Sequence, residues 1–341
     1  MMAGVNASAA FASDNAAPAH PAVLEAVIAA NQDPAMSYGS DDITSRAAAL
    51  IRETFDSPHA EVLFALTGTG ANVIALTAAT RPWHAILCSD IAHSLVDEAG
   101  GPVRLSGAML TVLPSDDGLI DPAALAAHAA RRGSVHHSQP SIVTITQSTE
   151  NGRLWRADAI KEFVDEAHHQ GLLVHVDGAR IANAVAALGV SPLEAMGDAD
   201  IVTVGGTKNG LLFGDAILVR RPERFDGIRF VHKQIGHLPS KHRFVSAQFE
   251  ALFTAGRWLE LAAHANTMAA RLAAGFVERG LTLASPTEAN EVFVLLEPEL
   301  HARVAARFAV HAPDPQRPVY RFVCSWATTD REVDAVLDLL R

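Results

Sequence analysis

The chain has 341 residues, of which 49% are hydrophobic and 19% charged, and its formal net charge is −11. A chain of this length can bury a large core, and we expect it to divide into two domains. The acidic balance argues against a nucleic-acid-binding protein, because basic patches supply most of the affinity for phosphate backbones. The sequence has no run of about eighteen apolar residues, so we expect no membrane span.

Neither the N-terminal sequence nor the cysteines and histidines indicate secretion or metal binding. The first fifteen residues, MMAGVNASAAFASDN, lack a basic start and a long apolar segment, so we predict no secretory signal peptide. Cys88 and Cys324 lie far apart, and the sixteen histidines form no HExxH or comparable ligand pattern. We therefore predict no metal site and expect a reduced, cytoplasmic protein.

From about residue 60, short apolar runs alternate with helical patterns. The predicted strands are EVLFAL (61–66), HAILC (84–88), MLTVL (109–113), IVTIT (142–146), LLVHV (172–176), DIVTV (200–204) and AILVR (216–220). Helices are predicted from near Gly70, over SDIAHSLVDEAG (89–100), from Asp121–Pro122, and from about Ala157 to His169. This alternation predicts an α/β fold around a largely parallel sheet.

The pattern changes after about residue 243. A long helical stretch (243–279) precedes two strands, EVFVLL (291–296) and VYRFVC (319–324), and a closing helix with a capping box at Thr329 and Glu332. We predict a large α/β domain over residues 46–242 and a smaller α+β domain over 243–341. Residues 1–45 are expected to pack on the small domain or on a partner subunit.

Polar groups follow three of the predicted strands, at the edge where open α/β sheets bind ligands. TGTGAN (67–72) has the glycines and the helix start of a phosphate site, although a tight turn would read the same. It is not GxGxxG, and no GK[ST] follows, which disfavours a nucleotide-binding protein. HVDGAR places Asp177 at a strand end, where a salt bridge to Arg180 is the alternative to a functional role. VTVGGTKNG (202–210) places Lys208 at another; alone, it would be read as a solvated loop lysine.

Together, these three groups are the parts of a pyridoxal phosphate site. The lysine would bind the cofactor covalently, the carboxylate would keep the ring nitrogen protonated, and the glycine loop would hold the phosphate. Their order and their shared position at strand ends carry the argument, since each part alone is a weak signal.

The sequence resembles the low-specificity L-threonine aldolases, which belong to the β-eliminating lyase and threonine aldolase group of fold-type I pyridoxal phosphate enzymes. The matching segments are SDN (13–15), YGSDDIT (38–44), TGTGAN (67–72), AHSLVDEAGG (92–101), TQSTENG (146–152), HVDGAR (175–180), GGTKNG (205–210) and RFVCSWATT (321–329). The resemblance implies a large domain with a mostly parallel seven-stranded sheet and a smaller C-terminal α+β domain.

The resemblance also implies roles for individual residues. The cofactor would be held by Lys208, Asp177, Gly68, Thr69, Gly70 and Arg180, with His93 stacked on its ring. The substrate would meet Ser13, Tyr38 (from a partner subunit), Arg180 and Arg321, and the β-hydroxyl proton would be handled by His93, by His136, or by both. From the residues alone, His93 could instead cap a turn and Arg321 could be a surface residue. The doublet His136–His137 leaves the register open, and we favour His136.

The reaction implied is retro-aldol cleavage of L-threonine, L-allo-threonine or phenylserine-like substrates to glycine and an aldehyde. A β-eliminating lyase on the same scaffold would instead release a 2-oxo acid, such as pyruvate, and ammonia. A non-catalytic cofactor-binding regulator would show no turnover. The resemblance implies a homo-oligomer, a dimer or tetramer with its active site at the subunit interface. We expect neither nucleic acid nor membrane as a partner.

Overall fold

The computed structural model describes residues 7–340. Residues 1–6 and 341 lie outside the described residues, and with them the start of the predicted N-terminal segment and of the stretch read for a signal peptide. Within residues 7–340, no helix combines the length and the apolar character needed to cross a bilayer.

Strands and helices alternate through the first two thirds of the chain. The strands are β1 (Glu61–Ala65), β2 (His84–Ser89), β3 (Met109–Leu113), β4 (Ser115–Asp116), β5 (Leu119–Ile120), β6 (Gln139–Thr146), β7 (Leu173–Gly178), β8 (Ile201–Val204), β9 (Asp215–Val219), β10 (Glu291–Leu295) and β11 (Val319–Val323). The helices are α1 (Pro21–Ala29), α2 (Asp42–Thr54), α3 (Gly68–Ala78), α4 (His93–Val96), α5 (Gly101–Ser106), α6 (Ala123–Ala129), α7 (Ala157–His169), α8 (Ile181–Leu188), α9 (Pro192–Met196), α10 (Ile228–Gln234), α11 (Arg243–Phe253), α12 (Arg257–Glu278), α13 (Pro298–Ala305) and α14 (Asp330–Leu339).

Seven strands form the main sheet in the order β1-β9-β8-β7-β6-β2-β3. Strand β9 runs antiparallel to both of its neighbours, and the other pairs are parallel, so six strands share one direction. The predicted mostly parallel seven-stranded sheet is therefore confirmed. Because β1, β6, β7 and β8 end on the same edge, the loops that follow them meet there.

The sheet is buried on both faces, as a parallel sheet requires. Alternate strand residues point to opposite sides, so Val174 and Val176 enter one core and Leu173 enters the other. The first core is closed by α2, α7, α8 and α11, and the second is closed by α3 and α10.

The C-terminal part has its own apolar core around the β10–β11 pair. Met268, Leu272 and Phe276 of α12 pack there, whereas Trp258 and Leu261 of the same helix pack in the core of the main sheet. Phe11, from the N-terminal segment, contacts Phe308 and Phe322 edge-on in this smaller core. One helix thus joins the two cores, and the proposed boundaries at residues 45 and 242 remain predictions.

One local prediction is wrong, and one small element was not predicted. The helical stretch over 243–279 is two helices, because Ala255 (φ 55°) and Gly256 (φ 71°) take left-handed conformations that end α11 and restart the chain as α12. The region between β3 and α6 contains a small antiparallel β4–β5 pair, turned at Asp117 (φ 50°) and Gly118 (φ 88°). The Asp-Gly turn was visible in the sequence, but two-residue strands are too short to produce a periodic pattern.

Candidate active site

A cavity of about 310 Å³ opens at the carboxyl ends of the main-sheet strands. It is lined by Asn15, Leu66, Thr67, Gly68, Thr69, Asn72, His93, Thr146, Ser148, Glu150, Asp177, Ala179, Arg180, Thr207, Lys208, Phe213 and Asp215. The loops after β1, β6, β7 and β8 all contribute. The structure brings together in this cavity four of the residues predicted from the sequence: Asp177, Lys208, Gly68 and Thr69.

Glycines allow the Asp177 and Lys208 loops to pack against each other. A β-carbon on Gly178 would overlap the Thr203 carbonyl, and one on Gly205 would overlap the Ala179 backbone. Only glycine permits this approach, because the obstacle is backbone that cannot move aside. The Asp-Gly pair at the end of β7 and the Gly-Gly pair after β8 therefore position the carboxylate and the amine at one cavity.

Asp177 is buried at the end of β7, and both of its carboxylate oxygens accept hydrogen bonds. Oδ1 accepts from the Ala179 amide at 3.0 Å, and Oδ2 accepts from Asn72 Nδ2 at 2.7 Å. Two residues earlier on the strand, His175 is bonded by Thr144 and Thr203 of the flanking strands, and burial lowers its pKa to about 4. A neutral His175 thus links β7 to both neighbouring strands next to Asp177.

Arg180 does not pair with Asp177, which corrects the salt-bridge alternative. Its guanidinium forms two hydrogen bonds to Asp14, at 2.7 and 3.0 Å, and lies 3.4 Å from Glu291. Although burial opposes ionisation, both carboxylates favour the charged form and raise the pKa of Arg180. Asp177 consequently faces the cavity with no cation as a direct partner among the described side chains.

The glycine loop after β1 forms the first turn of α3. Thr67 caps this helix by accepting from the Gly70 amide at 3.0 Å, which leaves the amides of Gly68 and Thr69 at the cavity without partners among the described residues. Gly70 does not line the cavity; a side chain there would overlap the His237 ring. Two free amides at the positive end of a helix suit an anion.

His93 lines the cavity at the start of α4 and is held at two points. Its Nδ1 lies 2.9 Å from Glu98 Oε1, and its backbone amide donates to Glu150 Oε1 at 2.8 Å. The hydrogen bond to Glu98 raises the pKa of His93, against the opposing effects of burial and of Lys208. His93 is therefore anchored within the cavity wall and is not capping a local turn.

Ser13 and Arg321 lie just beyond the cavity. Ser13 accepts from the amide of Asn15, a lining residue, and precedes the Asp14 that binds Arg180. Arg321, on β11, lies 3.5 Å from Glu291, whose pKa is raised by its complete burial. Glu291 therefore stands between Arg180 and Arg321, and links both arginines to the edge of the site.

The structure does not bring His136 or Tyr38 to the cavity of their own chain. His136 is exposed in the loop before β6, at the amino end of that strand, whereas the cavity lies at the carboxyl ends of the strands. Its predicted role beside the substrate stays a prediction. Tyr38 is half exposed, and the amine of Lys233 lies 4.2 Å above its ring.

Sequence reasoning assigned no role to several residues that shape the site. Glu150, whose pKa burial raises to about 7, lines the cavity, and Asp215 accepts from the amides of Gly206 and Thr207 at 3.0 and 3.2 Å. Asn72 and Glu98 form a buried hydrogen bond of 2.9 Å. Asn72, Glu98 and Glu150 lie within the motifs TGTGAN, AHSLVDEAGG and TQSTENG. Their polar side chains within these motifs could therefore have marked them as candidate site residues.

The buried polar atoms test whether the cavity suits a polar cofactor. Ser148 Oγ, Asn72 Oδ1 and Glu150 Oε2 are buried around it and have no hydrogen-bond partner among the described residues. Together with the free amides of Gly68 and Thr69, they are unused groups for a ligand that carries a phosphate and ring substituents. No three His, Cys, Asp or Glu side chains in the described part of the chain are grouped to hold a metal ion.

The doubly covered sheet and this strand-edge site define a fold-type I pyridoxal phosphate enzyme. A family model described as "Beta-eliminating lyase" matches residues 10–299. The chain belongs to this family, and within it to the threonine aldolase group, as its relatives demonstrate.

Two bacterial proteins are similar over almost the whole chain. The sequence is 38% identical over 330 residues to a low specificity L-threonine aldolase of Pseudomonas sp. (strain NCIMB 10558), covering 95% of this chain and 94% of that protein. It is 37% identical over 337 residues to the protein of the same name from Pseudomonas aeruginosa, covering 97% and 96%.

Solved structures agree with this membership. Threonine aldolase of Leishmania major superposes with a TM-score of 0.93 at 29% identity and covers 98% of each chain. The serine palmitoyltransferase of Sphingomonas wittichii has a TM-score of 0.73 at 17% identity, over 97% of this chain and 85% of that one. The second likeness concerns the fold alone.

Proposed function

We propose that this chain is a pyridoxal phosphate-dependent lyase that cleaves L-threonine, L-allo-threonine and related β-hydroxy-α-amino acids to glycine and an aldehyde. The observation that carries the proposal is the meeting of Asp177, Lys208 and the first turn of α3 at one cavity. The near-full-length relatives named as low specificity L-threonine aldolases support the same reaction.

The cofactor would be held by residues from three strand ends. Lys208 would bind it covalently through its amine, Asp177 would accept a hydrogen bond from its ring nitrogen, and the amides of Gly68 and Thr69 would donate to its phosphate. Gly70 allows the His237 ring to pack against this loop, because a side chain there would overlap that ring. When bound, pyridoxal phosphate supplies an electron-withdrawing ring that allows a bond at the amino acid's α-carbon to break.

The remaining residues would bind the substrate and move its proton. Arg321 and Arg180 would attract the α-carboxylate, and Ser13 precedes the Asp14 that binds Arg180. Positioning the carboxylate selects which bond at the α-carbon breaks. His93 would accept the proton of the β-hydroxyl, since histidine is the side chain whose ordinary pKa lies nearest to working pH.

We also propose a cytoplasmic homo-oligomer, a dimer or a tetramer, with Tyr38 contributing to a partner's site. Exposed apolar side chains lie on the N-terminal segment and on α10, among them Ile28, Met36 and Phe230, which have 71, 69 and 81% of their area exposed. Burying them between copies is favourable. Sedimentation velocity of the purified protein tests this proposal, and a monomer at micromolar concentration would contradict it.

Product analysis tests the reaction. Purified holoenzyme is given L-threonine, L-allo-threonine or phenylserine, and glycine and the aldehyde are measured together. We expect the two products in equal amounts. Release of 2-oxobutanoate and ammonia from L-threonine would instead identify a β-eliminating lyase.

The β-eliminating alternative is retained because the matching family model carries that description. A protein that binds the cofactor but turns over none of these amino acids would be a non-catalytic binder. The same assay separates the three outcomes.

A further inference from the structure

We propose that Glu98 and Asn72 are positioning residues that fix the protonation of the His93 ring and tie it to Asp177. The inference rests on the proposed function, because it concerns how His93 would accept a proton in that reaction. It arises from one continuous hydrogen-bonded chain of four side chains in the cavity wall.

The first link is the contact between His93 and Glu98. Glu98 has no exposed side-chain area, and its Oε1 lies 2.9 Å from His93 Nδ1. The same oxygen accepts from Asn72 Nδ2 at 2.9 Å. Burial raises the pKa of Glu98, whereas the hydrogen bonds with His93 and Asn72 favour its carboxylate form. We assign Glu98 as the carboxylate, so that Nδ1 of His93 is the donor. The proton therefore sits on Nδ1, and Nε2 is left with a lone pair.

The second link is Asn72, which bridges two carboxylates. Its Nδ2 donates to Glu98 Oε1 and, at 2.7 Å, to Asp177 Oδ2. The opposite orientation of the amide would place an oxygen against two carboxylates, which is repulsive. Asn72 thus uses both of its amide hydrogens. It holds Glu98, which positions His93, at a set distance from Asp177, the predicted partner of the cofactor's ring nitrogen.

This arrangement prepares His93 for proton transfer. When Nε2 accepts a proton, the ring becomes positive beside the carboxylate of Glu98, and a charge-assisted hydrogen bond stabilises that state. The other charged groups that face His93 are Asp177, which favours the imidazolium, and Lys208, which opposes it. Glu150 is bonded to the backbone amide of His93 and not to its ring.

The tautomer can be measured without turnover. Nitrogen-15 NMR of the histidine-labelled holoenzyme, with the His93 signals assigned from a His93→Phe variant, reports which ring nitrogen carries the proton at alkaline pH. We expect Nδ1–H for His93. An Nε2–H form in the wild-type protein would overturn the proposal, whatever reaction the enzyme catalyses.

The Glu98→Gln variant tests the effect on catalysis. A neutral partner removes the charge that raises the His93 pKa, so the acid limb of kcat/KM for L-threonine should move to lower pH. Its plateau should fall by on the order of a hundredfold or more, because the ring is no longer held in one tautomer. The cofactor absorption band should remain. Glu162→Gln, at an exposed position on α7, is the matched control.

The Asn72→Ala variant tests the bridge. It should weaken cofactor binding, because Asp177 loses a hydrogen bond, and lower kcat, because Glu98 loses one. Its effect on kcat should not add to that of Glu98→Gln, because the two residues act on the same His93 ring. Additive effects, or an unchanged pH profile in Glu98→Gln, would contradict the coupling. If the wild-type enzyme fails to cleave L-threonine, the proposed function falls, while the NMR result still decides the hydrogen-bonded chain.

Discussion

At the scale of single residues, glycines determine what the polar groups of this site can do. Lys208 is an unremarkable loop lysine in the sequence, but Gly205 and Gly178 let its loop approach the loop of Asp177 closely. Lys208 then lines the same cavity as two carboxylates, Asp177 and Asp215. The placement of these charges makes Lys208 the residue expected to bind the cofactor.

Reduction should show where the cofactor is attached. We expect the purified protein to be yellow, and borohydride to fix the cofactor on the peptide that contains Lys208. Lys208→Ala should lose this adduct while keeping its fold, as measured by circular dichroism. Mass spectrometry that finds the adduct on Lys233 or Lys241 would show that the site is assigned incorrectly.

Arg321 should affect the substrate and not the cofactor, because it lies beyond the cavity wall, 3.5 Å from Glu291. Arg321→Leu should raise KM for L-threonine, since a lost charge pair with a carboxylate costs on the order of 2–5 kcal/mol. The cofactor absorption band should not change. Arg317→Leu, at an exposed position before β11, is the control. Wild-type kinetics in Arg321→Leu would place this arginine outside the substrate site.

At the scale of elements, caps and left-handed residues set the boundaries that periodicity leaves open. The apolar pattern continues across Ala255 and Gly256, yet the backbone turns there and separates α11 from α12. At the C-terminus, the capping box was legible in the sequence and is present: Thr329 accepts from the Glu332 amide, and Glu332 accepts from Thr329 at 2.8 Å. The predicted start of α14 is confirmed.

Loss of this cap should destabilise the small core, because α14 contributes Val333, Val336 and Leu337 to it. Thr329→Ala should lower the free energy of unfolding by about 1 kcal/mol in urea titrations. Thr267→Ala, at an exposed position within α12, should not, since alanine is the better helix former there. Equal stabilities of the two variants would argue against a contribution from the cap.

At the scale of the whole molecule, distant segments meet to complete each region. Residues from the first fifteen positions reach both the small core, through Phe11, and the arginine beside the cavity, through Asp14. Near the sheet edge, His242 packs its ring against Phe64 and His232, with centroid distances of 5.9 and 6.2 Å. Burial, and then the charge of His232, lower the pKa of His242 to about 4.

His242 should therefore make the fold less stable in mild acid. Its folded pKa of about 4 lies below the unfolded value of 6.5, so below pH 6.5 the unfolded chain binds a proton that the folded chain does not. Between pH 7 and pH 5 this linkage should cost about 2 kcal/mol of unfolding free energy. His242→Phe should lose that part of the pH dependence, measured by urea unfolding at both pH values. His59→Phe, at an exposed position, is the control; identical pH dependence in all three proteins would contradict the assignment.

Most of the sheet could be predicted from the sequence, because buried parallel strands are apolar runs of recognisable length. The run 109–113 matches β3, and 157–169 matches α7. The motifs at the strand ends were equally legible, since HVDGAR and GGTKNG combine special backbone requirements with ionisable groups. Local patterns of this kind depend on neighbours within a few residues, which a sequence displays directly.

The order of strands and the partners of the charges were decided by tertiary structure. Arg180 pairs with Asp14, which lies 166 positions away, and not with the nearby Asp177. His136 comes just before β6 and lies at its amino end, away from the cavity at the carboxyl ends of the strands. Glu98 meets Asp177 through Asn72 only after three elements have packed. The sequence by itself determined which residues lie on strands, helices and glycine turns, because local sterics and periodicity control them. Packing determined which charges face one another, because burial forces each buried ionic group to find a partner wherever the folded chain brings one.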